Sequence, residues 1–165
     1  MSSNFRTLDL PSQPGALRTI FWSCLVAGLL DAAAGTIVYY AWFGFNPFQV
    51  LQFIASGVYG PSAINGGKGM VFLGLLFHFI IALVAAAVYF FLYPVFRVPG
   101  KYRFATGLIY GLGIWLLMNL LVLPHSNIPR SDFDPRLAAI GILWHMVLVG
   151  LPIALITHKY YRWRL

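Results

Sequence analysis

Asp31, His78 and His145 are the residues in this sequence whose types and positions could do chemistry. Each lies inside a long hydrophobic run, in the segments GLLDAAAG, LFHFIIA and LWHMVLVG. A carboxylic acid and two imidazoles can exchange protons, bond one another or ligate a metal. In a bilayer an acid near the centre costs about 2.5–3.5 kcal/mol on insertion scales, so such groups turn inward and seek partners. Asn119, in LLMNLL, is a fourth polar residue of this kind.

The depths agree. Counted at 1.5 Å per residue within its own run, Asp31 sits roughly 1 Å from the centre, His145 roughly 4 Å and His78 roughly 5 Å toward the outer side, and Asn119 roughly 8 Å. Each histidine follows a glycine by four residues, Gly74 before His78 and Gly141 before His145. That spacing puts a notch on the helical face that carries the imidazole. Pro152 predicts a kink that frees the Leu148 carbonyl beside His145.

Four chemistries suit this constellation. A hydrogen-bond cluster could fix helix register, or His78 and His145 could ligate a b-type haem. A proton or small-solute path could run through Asp31 and the histidines. A transition-metal site is the fourth, short of further ligands. A shared ligand or bond requires the two imidazoles to face each other. Otherwise each bonds a separate neighbour, such as Asp31 or the Leu148 carbonyl.

The elements that must position these residues are legible from composition. Of 165 residues, 60% are hydrophobic, 17% aromatic and only 9% charged, and the mean hydropathy is +0.79. Soluble domains carry about 25% charged residues, so neither a soluble domain nor a disordered chain fits. Apolar runs at about 19–42, 70–93, 104–123 and 137–158 are each long enough to cross a bilayer. They predict an all-α protein, a four-transmembrane-helix bundle forming one membrane domain over 1–165. The first run has a basic lead and small residues at 32–34, as a signal peptide does, but its length and Asp31 favour an uncleaved span.

Between the first two runs, Asn46-Pro47 with Gln49 three residues after Asn46 reads as a capping box. A short amphipathic helix over about 47–57 follows, with Gln49, Gln52 and Ser56 on one face. Val50, Leu51, Ile54, Ala55 and Val58 lie opposite, as suits a helix in the outer interface that could also dip inward. Trp22, Tyr93, Phe96, Tyr102, Tyr160, Tyr161 and Trp163 fall near the inner boundary, and Tyr39, Tyr40, Trp42 and Phe43 near the outer one, as an anchoring belt.

The net charge of +7 reads as topology rather than nucleic-acid binding. Arg6, Arg18, Arg97, Lys101, Arg103, Lys159, Arg162 and Arg164 share one side, eight in all, against Lys68, Arg130 and Arg136 on the other. The positive-inside rule puts both termini in the cytoplasm.

Other motifs carry less. Gly66-Gly67-Lys68-Gly69 departs from a phosphate-binding loop at both ends, with Ser62 and Gly69 where Gly and Ser or Thr belong. His125, Ser126 and Asp132 have the residue types of a hydrolase triad but sit in a proline-rich loop. Glutamate is absent, the acids being Asp9, Asp31, Asp132 and Asp134, so paired-carboxylate catalysis has little material. Cys24 stands alone, without a metal or redox motif. Gly107-x-x-x-Gly111 and Ala82-x-x-x-Ala86 predict close helix packing, within the bundle or with an outside partner.

The segments LQFIASGVYG, LGLLFHFIIA, MNLLVLP and WHMVLVGLPIAL resemble those of small four-helix inner-membrane proteins of bacteria that have no assigned function. The resemblance implies the four-span architecture and no activity. With no catalytic pair and no long loop, the sequence points to a non-enzymatic protein of a bacterial inner membrane, an accessory or scaffolding component of a larger assembly. Its partners would be lipid, further copies of itself or other membrane subunits. A haem b electron carrier and a small proton-linked transporter are the alternatives.

Overall fold

The computed structural model describes residues 15–95, 100–128 and 132–162. Arg6, Asp9, Phe96, Arg97, Arg130, Trp163 and Arg164, used above for charge and belt, lie outside them. The chain is an all-α multi-pass membrane protein with four apolar helices long enough to cross a bilayer, Ala16–Phe43, Gly67–Val95, Gly100–His125 and Pro135–Tyr161. Each extends a few residues beyond its apolar run. Their up-and-down order creates a terminal end, where the first span begins and the last one finishes, and a loop end carrying the segments 44–66 and 126–134.

Local chemistry sets the boundaries. α1 (Ala16–Phe43) stops at Gly44, whose φ of +69° suits a residue without a side chain. α2 (Pro47–Tyr59) starts on the capping box: Phe48 and Gln49 N–H donate to Asn46 Oδ1 at 3.0 Å, and Asn46 N–H donates to Gln49 Oε1 at 2.9 Å. A short 3₁₀ turn (Pro61–Asn65) leads into α3 (Gly67–Val95). The third span contains α4 (Arg103–Leu117), and the fourth contains α5 (Pro135–Trp144) and α6 (Leu151–Tyr161). Asp134 caps α5, accepting from Arg136 N–H at 2.8 Å and from Trp42 Nε1 at 2.9 Å, which ties the fourth span to the first. The Trp42 indole first, then the Arg136 and Leu137 amides, hold the Asp134 carboxyl below the ordinary carboxylate range.

Two turns are widened to π geometry, Met118–Val122 and His145–Gly150. Each precedes a proline, Pro124 or Pro152, whose ring would otherwise strike the carbonyl four residues back. The kink expected at Pro152 is therefore met by one wide turn.

α2 forms where the sequence places it, but the side it buries differs from expectation. Gln52 and Ser56 are buried and Val58 is exposed. The helix docks on α3, with the Leu51 backbone seated against Gly74. Gln52 Nε2 donates to the Gly67 carbonyl at 3.2 Å, and Ser56 Oγ to the Phe53 carbonyl. With their polar groups satisfied locally, these side chains need no water and can face protein. Asn127 of the loop after the third span adds two bonds, to the Gly57 and Val58 carbonyls.

Small residues set the helix contacts, and all of those singled out face inward. Gly107 and Gly111 of α4 meet Gly150, Ala154 and the His145 carbonyl of the fourth span, while Gly28 of α1 meets Phe79 and Ala82 of α3. Ala86 is fully buried with Ile20, Cys24, Phe90 and Tyr160. A methyl at position 111 would collide with the His145 carbonyl, whereas one at Gly113 meets nothing within 4 Å. Overpacking of this kind costs about 1–3 kcal/mol, while Gly to Ala on an open helix face gains up to about 1 kcal/mol. Gly111→Ala should therefore lower the melting temperature in detergent by several degrees and Gly113→Ala should hold or raise it. Equal responses would refute the close third-to-fourth-span contact.

Candidate functional site

α1 brings Asp31, α3 brings His78, and the junction of α5 with the π turn brings Trp144 and His145 to one place. Trp144 Nε1 donates to Asp31 Oδ1 at 2.9 Å. His145 Nε2 stands 3.9 Å from Asp31 Oδ1, and His78 Nδ1 stands 4.0 Å from Asp31 Oδ2. The side chains of Asp31, His78 and His145 retain 26%, 10% and 14% of their exposure, so the group is enclosed by protein but not sealed.

The second nitrogen of each ring defines its hydrogen. His78 Nε2 lies 2.8 Å from the Gly28 carbonyl oxygen and His145 Nδ1 lies 2.7 Å from the Gly141 carbonyl oxygen. A carbonyl only accepts, so both of those nitrogens carry a hydrogen. In the neutral rings the remaining nitrogens, His78 Nδ1 and His145 Nε2, are acceptors, and both are turned toward the carboxylate. Three acceptors thus converge, with the Trp144 N–H as the one donor bonded to Asp31 among the described residues. The distances exceed a direct hydrogen bond of 2.7–3.2 Å. A proton on either ring converts repulsion with the carboxylate into attraction.

The histidines therefore relate through Asp31, one at each of its oxygens, and His145 bonds the Gly141 carbonyl rather than that of Leu148. Asn119 takes another course, its Nδ2 donating to the Trp115 carbonyl of its own span at 2.9 Å. The two glycine notches are filled by protein. Position 74 is closed by the Leu51 backbone, and a methyl at Gly141 would lie 2.6 Å from Trp115 Nε1. With the notches filled and Asp31 against both rings, these residues do not fit a haem. Among the described residues no three His, Cys, Asp or Glu side chains form a metal-holding group.

Trp144 is the member that sequence reasoning missed. The available signal was its depth: a tryptophan near a span's middle lies outside the interfacial belt, and its N–H needs a partner there. Elsewhere, His125 Nδ1 pairs with the Leu121 carbonyl and Ser126 Oγ donates to the Leu123 carbonyl, so both serve the end of their own helix. A surface groove of about 470 Å³ beside Trp42, Phe43 and Asp132 lies at the loop end and includes none of the three site residues.

Comparisons with known protein families, curated proteins and solved structures find no match. The functional reading rests on the geometry of the site.

Removing Asp31 should cost far more than removing an exposed acid. Asp31→Leu strips the Trp144 N–H of its acceptor inside the bundle, a loss of about 1–3 kcal/mol. Asp132→Leu, at an exposed position, should stay within about 0.5 kcal/mol. Thermal unfolding in detergent compares them, and equal tolerance would show that Asp31 is not a structural partner.

Proposed function

We propose that this chain is a small proton-linked transporter in which Asp31 carries the proton and His78 and His145 share it. The observation that supports this is the orientation of the two imidazoles, each pinned through one nitrogen to a backbone carbonyl and turned through the other toward Asp31. A carboxylate in a bilayer is costly alone. Neighbours that can take up its charge make it a place where a proton arrives, rests and leaves. A bridging water, or closure by about 1 Å, would complete transfer between ring and carboxylate.

A second reading, an accessory or scaffolding component with further copies or other subunits as partners, draws on a different observation. Each member of the cluster already has one short bond of its own, Asp31 to Trp144, His78 to Gly28 and His145 to Gly141. The Asp31 and His78 bonds join the first span to its neighbours without any proton movement. Gly107, Gly111, Ala82 and Ala86 pack within the bundle.

We place both termini in the cytoplasm on the distribution of basic residues, and the membrane as a bacterial inner one on the resemblance of its four segments to such proteins. A reporter fused near Asn127 should then read the outside, and a cytoplasmic signal there would reverse the orientation.

Proton flux decides between the two functional readings. In liposomes holding a pH dye, with a potassium diffusion potential as driving force, the wild type should acidify the lumen faster than empty liposomes. Asp31→Asn, which keeps an acceptor for Trp144, should reduce that rate at least tenfold without loss of fold. Wild-type flux no greater than that of empty liposomes would leave the scaffold reading in place.

A further inference from the structure

On the loop-end side of the site, His78 is backed by α2. One helical turn from His78 toward that end, the backbone of α2 at Leu51 fills the Gly74 position. Toward the terminal end the contacts are of another kind. Thr19, Ser23, Ala27 and Asp31 recur every four residues on one face of α1, and Ile153 and Thr157 share a face of α6. Ala27 and Ile153 belong to one buried cluster with Val149, Tyr89 and Tyr93, so these faces meet in a seam between α1 and α6.

Two side chains in that seam break a local rule. Helical Ser and Thr hydroxyls ordinarily bond a carbonyl three or four residues back. Thr19 does so to Gly15, Ser56 to Phe53 and Thr106 to Tyr102. Ser23 Oγ and Thr157 Oγ1 do not: they are 1% and 0% exposed by residue and have no hydrogen-bond partner among the described residues. Next to Thr157, at the terminal end, His158 Nδ1 and the Tyr93 hydroxyl lie 2.5 Å apart. Arg103 and Arg162 are near enough to act on His158 through their charge.

We propose that this seam is the proton's route between the terminal end and Asp31, with Ser23 and Thr157 as relay hydroxyls and His158 with Tyr93 at the mouth. The proposal rests on the proton-linked reading and adds its sidedness. A hydroxyl suits such a relay because it accepts a hydrogen bond from water on one side and donates on the other. A proton taken from a hydronium ion at the mouth is passed along water and hydroxyl oxygens, each releasing the hydrogen it held. At the far end Asp31 keeps the proton. Ala27 and Val149, between the hydroxyls and Asp31, are buried and bring no polar atom of their own, so the route requires water to enter that stretch when a proton passes.

The test measures proton arrival at Asp31 directly, in protein reconstituted into lipid nanodiscs. After an acid step, time-resolved infrared spectroscopy follows the carboxyl band that Asp31→Asn abolishes. Ser23→Ala combined with Thr157→Val should slow that band at least tenfold and leave the melting temperature unchanged or higher, since neither hydroxyl holds a bond. Restoring a hydroxyl at the second position, with Thr157→Ser in an otherwise native chain, should keep the rate near wild type. An unchanged rate in the double variant would overturn the proposal, as would a melting temperature lowered by several degrees or a wild type with no Asp31 band. Absent flux in liposomes would count against the transporter reading, while the arrival rate at Asp31 would still decide the route.

Discussion

Inside a bilayer lipid cannot solvate Asp31, and the bundle is arranged around that obligation. The Trp144 indole meets it with one short hydrogen bond across 113 residues of sequence. That bond ties the first span to the fourth, and His78, through its own bond to the Gly28 carbonyl, ties the first span to the second. Among the described residues the third span makes no contact of this kind with Asp31. It is held by close backbone approach, with Gly107 and Gly111 against Gly150 and the His145 carbonyl, and by the Tyr110 hydroxyl donating to the Ala85 carbonyl at 2.6 Å. Lipid supplies no hydrophobic force between helices, so packing and internal hydrogen bonds must do this work.

The wide turn at His145–Gly150 connects the two kinds of contact. Gly150 follows His145 by five positions, within one π turn, so both lie on the side that meets Gly111. A regular turn would rotate the later residues out of that contact by about 100°. Pro152 makes the widening inexpensive, because its ring already denies the Leu148 carbonyl an ordinary helical bond. One proline thus shapes both the close packing of the third span and the backbone that carries His145 to Asp31.

Much of this was legible in the sequence. The four spans follow from run length, the α2 start from Asn46, Pro47 and Gln49, and the common depth of Asp31, His78 and His145 from counting residues. What stayed hidden has a physical reason in each case. Periodicity states which residues share a face but not what the face meets, so the Gly74 notch could suggest a ligand when it receives the backbone of α2. Short polar side chains can be satisfied inside their own element. Asn119 therefore bonds Trp115 instead of joining the cluster, and Ser56 turns inward where its polarity suggested water. Trp144 was hidden because an aromatic residue in an apolar run reads as packing until a buried acid in another span gives its N–H an acceptor.

The central claim is that both imidazoles turn an acceptor nitrogen toward Asp31, and the most direct measurement of it is nitrogen solid-state NMR of the histidines in lipid. The neutral rings should show the hydrogen on Nε2 of His78 and on Nδ1 of His145. On acidification the nitrogens that gain a proton should be His78 Nδ1 and His145 Nε2. Hydrogen on His78 Nδ1 or His145 Nε2 in the neutral rings would contradict the account, because those rings would then be permanent donors to Asp31 and the site would be a closed hydrogen-bond knot.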